Sequence, residues 1–407
     1  MVEPFPEYRR RPLLKIMHAY FLRPLVSIAL LLSFGLAIAD DELLPLAYRA
    51  EDGRVLLEFE PGRELIYNNT LATGVGTDEP LLDRGQIGDS ALVRFERHGP
   101  RVLLVRLNAA HTALSDNSAL ERSVAESFPR SVLAAMEITD EGDDRLTVDA
   151  TEFVLSDVFG VADRLREAGR GKPKLDSDRS HVDPERSGAF PENSEIRAVL
   201  TFAVEEPDEI LRRHAPDGRS VTVEQHHSFL ALPEDGYRPR EFHPRAGIFP
   251  HILFDFALGH DSDYRQRWIW RWRLEPSDPE AYLAGEKVEP VEPIVYHLDP
   301  AIPEPYRSAF IEGGLWWNEA LEAAGFENAF QIRDLPEDAN PMDARYNVIE
   351  WVHRQQRGPS VGPHYRDPRS GEILRAIVRM DSFRSLVNHD IWMGFRPAAG
   401  ERGLALD

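Results

Sequence analysis

The chain has 407 residues and a formal net charge of −22, from 69 acidic and 47 basic side chains. This length predicts two or three domains, and a hydrophobic content of 42% is typical of folded rather than disordered proteins. The charge argues against a nucleic-acid binder, because such proteins place clustered positive charge against phosphates. Since the chain has no cysteine, disulfides, thiol nucleophiles and cysteine-ligated metals are excluded, and any metal ligand must be His, Asp or Glu.

Residues 1–39 have the three parts of a secretory signal. Five basic side chains precede an apolar run, Pro24–Ala39, which ends in Ala-Ile-Ala before Asp40. The run of 16 residues is shorter than the roughly 20 that span a bilayer, so we predict a cleaved signal rather than a retained anchor. A twin-arginine signal around Arg10 and a Sec signal starting at Met17 both fit this segment. The mature chain is then expected to be a soluble periplasmic or extracellular bacterial protein with no stable membrane association.

Residues 40–285 are predicted to form a β-rich region, because apolar and polar side chains alternate along much of it. Strands are predicted at residues 54–60, 91–97, 101–107, 145–154, 196–204, 220–225 and 265–274. A tight turn at His98-Gly99-Pro100 joins two of them into a hairpin. Helical spacing occurs at residues 119–135 and 156–168. The polar stretch 169–193 is predicted to be a long loop, which divides the region into 40–168 and 194–285.

A second region, residues 286–407, has a mixed pattern. Strand-like runs at 290–299, 330–335 and 346–352 accompany a helix at 304–324, and Gly325 stands where a helix-ending glycine is expected. The order is β-α-β-β, followed by glycine-rich loops. The fold class predicted for the whole chain is therefore α+β, with a β-rich domain followed by an α/β unit.

The 14 histidines do not form a recognisable metal motif. No two of them are four residues apart and no His-Glu dipeptide occurs, although helical zinc sites use both. His226 and His227 are adjacent, and on a strand they would point to opposite faces and could not share one ion. His353 and His364 flank a glycine-rich loop, where they either face a cleft or serve as ordinary structural histidines.

Other catalytic motifs are also missing from the sequence. There is no G-x-S-x-G, and Gly74-Val-Gly76 does not open a helix as a dinucleotide site requires. Trp268, Trp270 and Trp272 lie at alternating positions of a predicted strand, and Arg267, Arg271 and Arg273 lie on its other face. This arrangement is either a stacking platform for a sugar or a base, or a buried aromatic face opposite a basic one.

A series of segments, in order along the chain, carries a resemblance to one family. Those in the first part are Leu82–Gly88, Val93–Arg97, Val102–Val105, Val148–Thr151, Gln225–Phe229, Pro244–Gly247 and Glu292–Tyr296. Those that follow are Trp317-Asn318, Ala324-Gly325, Leu335–Ala339, Pro341–Asp343, Arg345–Val348, Trp351–Arg354 and Asp367–Ile373. They resemble the exported bacterial zinc-dependent metalloproteases that carry large uncharacterised domains ahead of a metzincin-like catalytic domain. The similarity covers nearly all of residues 43–385.

The resemblance implies that the β-α-β-β unit, in residues 286–407, is the first half of a metzincin-like domain that hydrolyses peptide bonds with zinc. It also implies that the loops at 358–371 lead to a strand bordering the cleft, where an extended peptide substrate can pair. The residues predicted to bind substrate at this cleft edge are Trp351, His353, Ser360, Gly362 and His364.

The zinc helix of that family, H-E-x-x-H-x-x-G-x-x-H, is absent from this sequence, whose last residues are Leu406-Asp407. We therefore predict no catalytic and no metal-ligating residue in the chain. It is expected to be inactive alone, and the zinc helix is either lost or supplied by a complementary C-terminal segment. The alternative is a non-catalytic periplasmic binding or scaffold protein derived from the same family.

Overall fold

The computed structural model describes residues 42–77, 79, 81–259, 262–355 and 358–395. The predicted signal at residues 1–39 lies outside this part of the chain. The described residues belong to one compact unit. It is rich in strands and also contains short helices, in agreement with the predicted α+β class.

The elements have the following bounds. The strands are β1 (Leu46–Arg49), β2 (Arg54–Phe59), β3 (Glu64–Leu71), β4 (Gln86–Ile87), β5 (Ala91–His98), β6 (Arg101–Arg106), β7 (His111–Thr112), β8 (Ser131–Glu141), β9 (Leu146–Asp149), β10 (Lys172–Ala189), β11 (Asn193–Glu205), β12 (Ser220–Leu230), β13 (Pro250–Asp255), β14 (Arg265–Ile269), β15 (Ile294–Leu298), β16 (Phe330–Asp334), β17 (Asn347–Val352), β18 (His364–Arg366) and β19 (Ile373–Asp381). The helices are α1 (Ser118–Ser127), α2 (Thr151–Val154), α3 (Val161–Glu167), α4 (Glu209–His214), α5 (Pro279–Leu283), α6 (Tyr306–Leu315), α7 (Trp317–Ala323) and α8 (Arg384–Phe395), with a 3-10 helix at Pro244–Ala246.

The largest sheet is antiparallel and has eleven strands, in the order β1-β2-β9-β8-β6-β5-β3-β12-β11-β10 with β4 paired to β3. Alternate side chains of its strands point to one side, where Phe59, Phe95 and Phe229 lie in the main hydrophobic core. The sheet curls until its two edges approach each other, since the Leu43 amide, just before β1, donates to the Phe190 carbonyl, just after β10, at 2.8 Å. The sheet is therefore nearly closed around its core.

Most predicted strands of this sheet are confirmed. The runs at 54–60, 91–97 and 101–107 form β2, β5 and β6, and those at 196–204 and 220–225 form parts of β11 and β12. The predicted turn joins β5 and β6 as an antiparallel hairpin, in which His98 is paired with Arg101.

The predicted loop at 169–193 was wrong for most of its length, because Lys172–Ala189 forms β10. This strand is an edge of the sheet, and two register shifts interrupt its pairing with β11. Many of its side chains consequently face solvent, and bulges break the alternation of apolar and polar residues. A polar edge strand of this kind has the composition of a loop.

Two other predicted elements change type partway along. The helix predicted at 119–135 ends at Ser127, because Pro129 favours an extended conformation at Phe128, and β8 follows. The strand predicted at 145–154 ends at Asp149, whose carboxylate accepts the Thr151 amide at 3.0 Å at the start of α2. The helix predicted at 156–168 is confirmed over the shorter range of α3.

A five-stranded sheet has the order β16-β15-β17-β19-β18, in which β18 is antiparallel to its neighbour and the other strands are parallel. The predicted β-α-β-β order is confirmed, with α6 and α7 connecting β15 to β16. The helix predicted at 304–324 is divided at Trp316, and Gly325 follows it with a left-handed φ of 95°. Asn318 of α7 holds the helix to β16, since its side chain exchanges hydrogen bonds with the Phe330 backbone at 2.8 and 2.9 Å.

The two large sheets share a buried interface. Ile66 and Leu230 of the eleven-stranded sheet pack in one apolar cluster with Met342, Tyr365 and Ile377 of the second region. A polar contact crosses the same interface, where the Thr70 and Tyr365 hydroxyl groups are 2.6 Å apart. The domain boundary predicted near residue 286 thus lies between two sheets that are packed together.

A three-stranded sheet, β14-β13-β7, lies beside them. Its inner face contacts the second region, because the His251 imidazole is 3.0 Å from the Pro368 carbonyl. In the part of the chain that the structure describes, no helix combines the length and the apolar character needed to cross a membrane.

Candidate functional site

The outer edge of the five-stranded sheet is formed by β18 and the residues just before it. Val361 exchanges two backbone hydrogen bonds with Arg379 of β19, at 3.1 and 2.8 Å. Because backbone groups alternate in direction along a strand, the amides and carbonyls of Gly362 and His364 point away from β19. They form a short edge to which an extended chain can add as a further strand.

His364 has an aromatic and a cationic neighbour at this edge. Its imidazole is edge-on to the Trp270 indole, with 5.1 Å between the ring centroids, and the Arg366 guanidinium is 4.1 Å from the centroid of the same indole. Burial and the Arg366 charge, opposed by the Gly362 carbonyl, lower the pKa of His364 to about 4. The ring is therefore neutral at pH 7. Its Nε2 is buried and has no hydrogen-bond partner among the described residues.

Three other residues predicted for the cleft edge lie close by in the chain. Gly362 and His353 are exposed, and Ser360 is half-buried. The Ser360 hydroxyl accepts a hydrogen bond from the Asp381 amide at 3.2 Å, which ties the loop to the end of β19. The structure thus places Ser360, Gly362 and His364 on one segment along the sheet edge.

Trp351, the fifth predicted residue, has a different environment. Its side chain is only 5% exposed and stacks with Tyr306 of α6, with 5.4 Å between ring centroids. Phe310 of the same helix lies 5.9 Å away. The indole therefore packs between β17 and α6, and it supports the sheet instead of facing solvent.

The carboxyl ends of the parallel strands, where open α/β sheets commonly bind ligands, contact a loop of the eleven-stranded sheet. In this loop, residues 82–85, the Asp83 carboxylate accepts from Arg354 Nε at 3.0 Å and from Arg379 Nη1 at 2.9 Å. Arg354 Nη1 also lies 3.2 Å from the Asp381 carboxylate. These four buried groups, which we call the Asp83 cluster, balance two positive charges against two negative charges.

Glu350 of β17 lies next to the Asp83 cluster and is fully buried. Neither of its carboxylate oxygens has a hydrogen-bond partner in the described part of the chain, and the nearest cation, Arg84, is 3.8 Å away. Burial raises the pKa of Glu350, and the charges of Arg84 and Arg375 oppose that shift. Arg84 itself forms a closer ion pair with Asp299, at 3.1 Å.

A second buried polar group, which we call the Glu195 cluster, joins β11 and β12 to the second region. The Glu195 carboxylate accepts hydrogen bonds from Asn193, Ser228 and the Ala344 amide at 2.7, 2.6 and 3.0 Å, and His226 Nε2 lies 2.7 Å from it. Burial raises the pKa of Glu195 to about 7, despite these hydrogen bonds.

The two adjacent histidines face opposite sides of β12, as predicted. His226 contacts Glu195 and Arg197, whereas His227 Nδ1 lies 2.7 Å from the Tyr67 hydroxyl in the main core. Within residues 42–395, apart from the positions that the structure leaves undescribed, no three His, Asp or Glu side chains are grouped to hold a metal ion.

The three tryptophans predicted on one strand face do not form a common platform. The strand β14 ends at Ile269, and the indoles beyond Trp268 have separate partners: Trp270 contacts His364, and Trp272 is edge-on to Tyr296 at 6.3 Å. They contact the second region of the chain. The alternating spacing predicted a strand that is longer than the observed one.

The sequence did not predict a role for the buried charged residues at the carboxyl ends of the parallel strands. Asp83 and Arg84 lie in the quoted segment Leu82–Gly88, and Glu350 and Arg379 lie within strands. In a chain with 69 acidic side chains, a carboxylate is usually on the surface, so these positions carry no individual signal of burial. A charged side chain within an otherwise apolar strand, such as Glu350, is the one feature that indicates them.

Comparison with known proteins gives one result. A family profile described as Domain of unknown function (DUF5117) matches residues 85–277. No curated protein matches the chain, and no solved structure matches it. The matched segment extends from just before β4 to just before α5, so within the β-rich region this chain is similar to a domain of unknown function.

Proposed function

We propose that the chain is the N-terminal portion of an exported bacterial zinc-dependent metallopeptidase, in which the five-stranded sheet is half of a metzincin-like catalytic domain. The observation that carries the proposal is the antiparallel edge strand β18 beside four parallel strands, preceded by the β-α-β-β unit. The segment resemblance described above supports the same assignment. The substrate is then a peptide or protein in extended form, and the location is the periplasm or the exterior.

In this proposal the chain positions the substrate and does not perform the hydrolysis alone. The outward amides and carbonyls of Gly362 and His364 would pair with the substrate backbone, and the neutral His364 ring would lie beside it. Zinc would be the Lewis acid, held by residues outside the described part of the chain. A complementary C-terminal segment is the proposed source of those ligands.

The first test measures zinc content and peptide cleavage for the purified chain, alone and mixed with the polypeptide encoded immediately downstream. We expect stoichiometric zinc and cleavage only in the mixture. Zinc binding and cleavage by the chain alone would contradict the division of roles, and the absence of both from the mixture would contradict the peptidase assignment.

A second test addresses the edge strand without zinc. Gly362→Pro removes an outward amide that takes no part in the pairing with β19, so binding of an extended peptide should weaken by about 1 kcal/mol or more. Gly362→Ala is the matched control, because its added Cβ would meet only Val378, at an ordinary 3.6 Å. Calorimetric titration with a library of short peptides gives the comparison, and equal affinities for the two variants would remove the edge from the proposal.

A second candidate function is that of a non-catalytic binding or scaffold protein. It is favoured by the filled carboxyl ends of the parallel strands, where Asp83 occupies the place of a ligand. In that case the peptide-binding test succeeds, while zinc and cleavage are absent from every mixture.

A further inference from the structure

Among the described residues of the strands, the outer face of the three-stranded sheet carries arginines and apolar side chains. Register places Arg267 of β14 beside Ile252 of β13 on the same face. Phe242 flanks Arg267 on the other edge of β14 and shares this face, because its amide donates to the Arg267 carbonyl at 2.8 Å. Arg265 and Arg240 belong to the same face by alternation. Glu241 and Trp268 pair with each other at the intervening positions, and Glu241 is exposed at the edge of the sheet.

A loop extends this face between residue 242 and β13. It begins with the 3-10 helix at Pro244–Ala246 and turns at Gly247, whose φ of 66° is left-handed. The next two side chains are Ile248 and Phe249, which are 43% and 81% exposed. Ile252, on the adjoining strand, is also 43% exposed. The loop therefore presents an apolar tip beside the arginines, and we call the whole surface the arginine face.

The guanidinium groups of this surface are unpaired. Arg240, Arg245, Arg265 and Arg267 are exposed, and none of the four side chains has a hydrogen-bond or ion-pair partner among the described residues. Elsewhere exposed arginines are commonly paired, as Arg97 is with Glu141 at 2.8 Å. The acidic residue next to β14, Asp263, instead accepts the Arg265 amide at 2.9 Å.

We propose that the arginine face binds the surface of an anionic lipid bilayer. In a chain with a net charge of −22, a local surface with four unpaired arginines has the opposite sign to the rest of the molecule and would orient it toward negative charge. Arginines near anionic headgroups and an apolar tip inserted at the acyl boundary are the two contributions that hold peripheral proteins on membranes.

A bilayer fits this surface better than a folded partner does. Phe249 and Ile248 are exposed at a loop tip, so the surface that covers them has to adapt its shape to these side chains. A fluid lipid interface accommodates such side chains, whereas a rigid acidic protein needs a matching pocket. Peripheral attachment requires no spanning helix. It differs from the expectation from sequence that the mature chain has no stable membrane association, and it does not depend on the proposed peptidase function.

The test is flotation of the full chain with vesicles of phosphatidylcholine alone and of phosphatidylcholine with one quarter phosphatidylglycerol. We expect binding to the anionic vesicles only, weakened by salt. Arg265→Gln with Arg267→Gln should weaken it about twenty-five-fold, since each arginine contributes about fivefold, and Phe249→Ser about tenfold. A parallel set without residues 1–39 removes any binding by the apolar run there.

Matched controls use exposed residues elsewhere. Arg101→Gln with Arg219→Gln removes the same charge, and Leu283→Ser removes an apolar side chain that is 84% exposed; neither should change binding. Because the chain has no cysteine, Phe249→Cys and Leu283→Cys each carry a single environment-sensitive fluorophore. The emission of the label at 249 should shift to the blue on anionic vesicles, and that at 283 should not.

Three results would overturn the proposal. One is equal binding of all variants, or no binding. Another is capture by soluble polyglutamate with no shift of the label at 249, which would indicate an acidic macromolecule. The third is a vesicle-independent dimer that Phe249→Ser dissociates, which would indicate a second copy of this chain.

Discussion

The Asp83 cluster and the Glu195 cluster both join the eleven-stranded sheet to the second region, and they hold buried charge in opposite ways. In the first, two carboxylates face two guanidinium groups. In the second, the hydrogen bonds to the Glu195 carboxylate include those from an amide side chain, a hydroxyl group and a backbone amide. Opposite charges can remain ionised inside a protein, whereas a carboxylate among neutral donors titrates at a higher pH.

The largest expected effect comes from breaking the ionic cluster. Asp83→Ala leaves Arg354 and Arg379 without the carboxylate that they share, so we expect the free energy of unfolding to fall by about 3–5 kcal/mol. Denaturant unfolding at pH 7 measures this loss. Asp52→Ala, which removes an exposed partner of Arg49 and Arg54, should have a much smaller effect, because solvent screens surface ion pairs. Similar losses for the two variants would mean that the Asp83 cluster contributes no more than a surface pair.

The neutral cluster is expected to respond to pH instead. The folded-state pKa of Glu195, about 7, is above the ordinary value of 4.5, so the folded chain binds this proton more tightly than the unfolded chain does. The contribution of Glu195 to stability therefore falls as the pH rises from about 4.5 to about 7, by about 3 kcal/mol in total.

Glu195→Gln removes that titration. The unfolding free energy of the original chain minus that of this variant should decrease as the pH rises from about 4.5 to about 7. Denaturant unfolding at several pH values measures the slope, and Glu126→Gln, an exposed change on α1, should give a constant difference. A constant difference for Glu195→Gln would contradict the raised pKa.

The contrast between the clusters also marks how far the sequence alone could be interpreted. Alternation predicted β5, β6 and β15, since each has regularly spaced apolar residues that face a core. It could not predict β10, because an edge strand with bulges exposes most of its side chains. Adjacent histidines on a strand correctly predicted that His226 and His227 face opposite sides.

The buried ion pairs were beyond prediction because each depends on contacts between distant segments. Asp83 is separated from Arg354 by 271 positions and from Arg379 by 296, so neither partner indicates the other locally. For the candidate site, the loop spacing placed Ser360, Gly362 and His364 on one segment, but it could not show that Trp351 is buried under α6. Burial follows from the packing of α6, which the helical pattern predicted without its location.

A smaller effect tests how closely the loop at residues 82–85 packs against Glu350 and Arg379. Gly85 has a left-handed φ of 71°, and a Cβ at this position would lie 2.3 Å from Glu350 Oε2 and 3.2 Å from Arg379 Cδ. Gly85→Ala should therefore destabilise the fold by about 1–3 kcal/mol. Gly62→Ala is the matched control, because its φ of 85° has the same sign and no atom lies within 4 Å. Thermal unfolding of both variants separates crowding from backbone strain, and equal shifts would show that the loop yields without cost.

The smallest expected effect concerns the apolar cluster that contains Tyr365, which packs between the two sheets. Tyr365→Phe keeps the ring, over which the Arg375 guanidinium lies at 5.0 Å, and removes the hydroxyl group that is 2.6 Å from Thr70 Oγ1. Because Thr70 is fully buried, its hydroxyl loses a partner, and we expect a loss of about 1 kcal/mol. Tyr48→Phe, at an exposed position on β1, should change little. If Tyr365→Phe were also neutral, the contact between Thr70 and Tyr365 would contribute nothing measurable, and the polar association of the two sheets would rest on the Asp83 and Glu195 clusters.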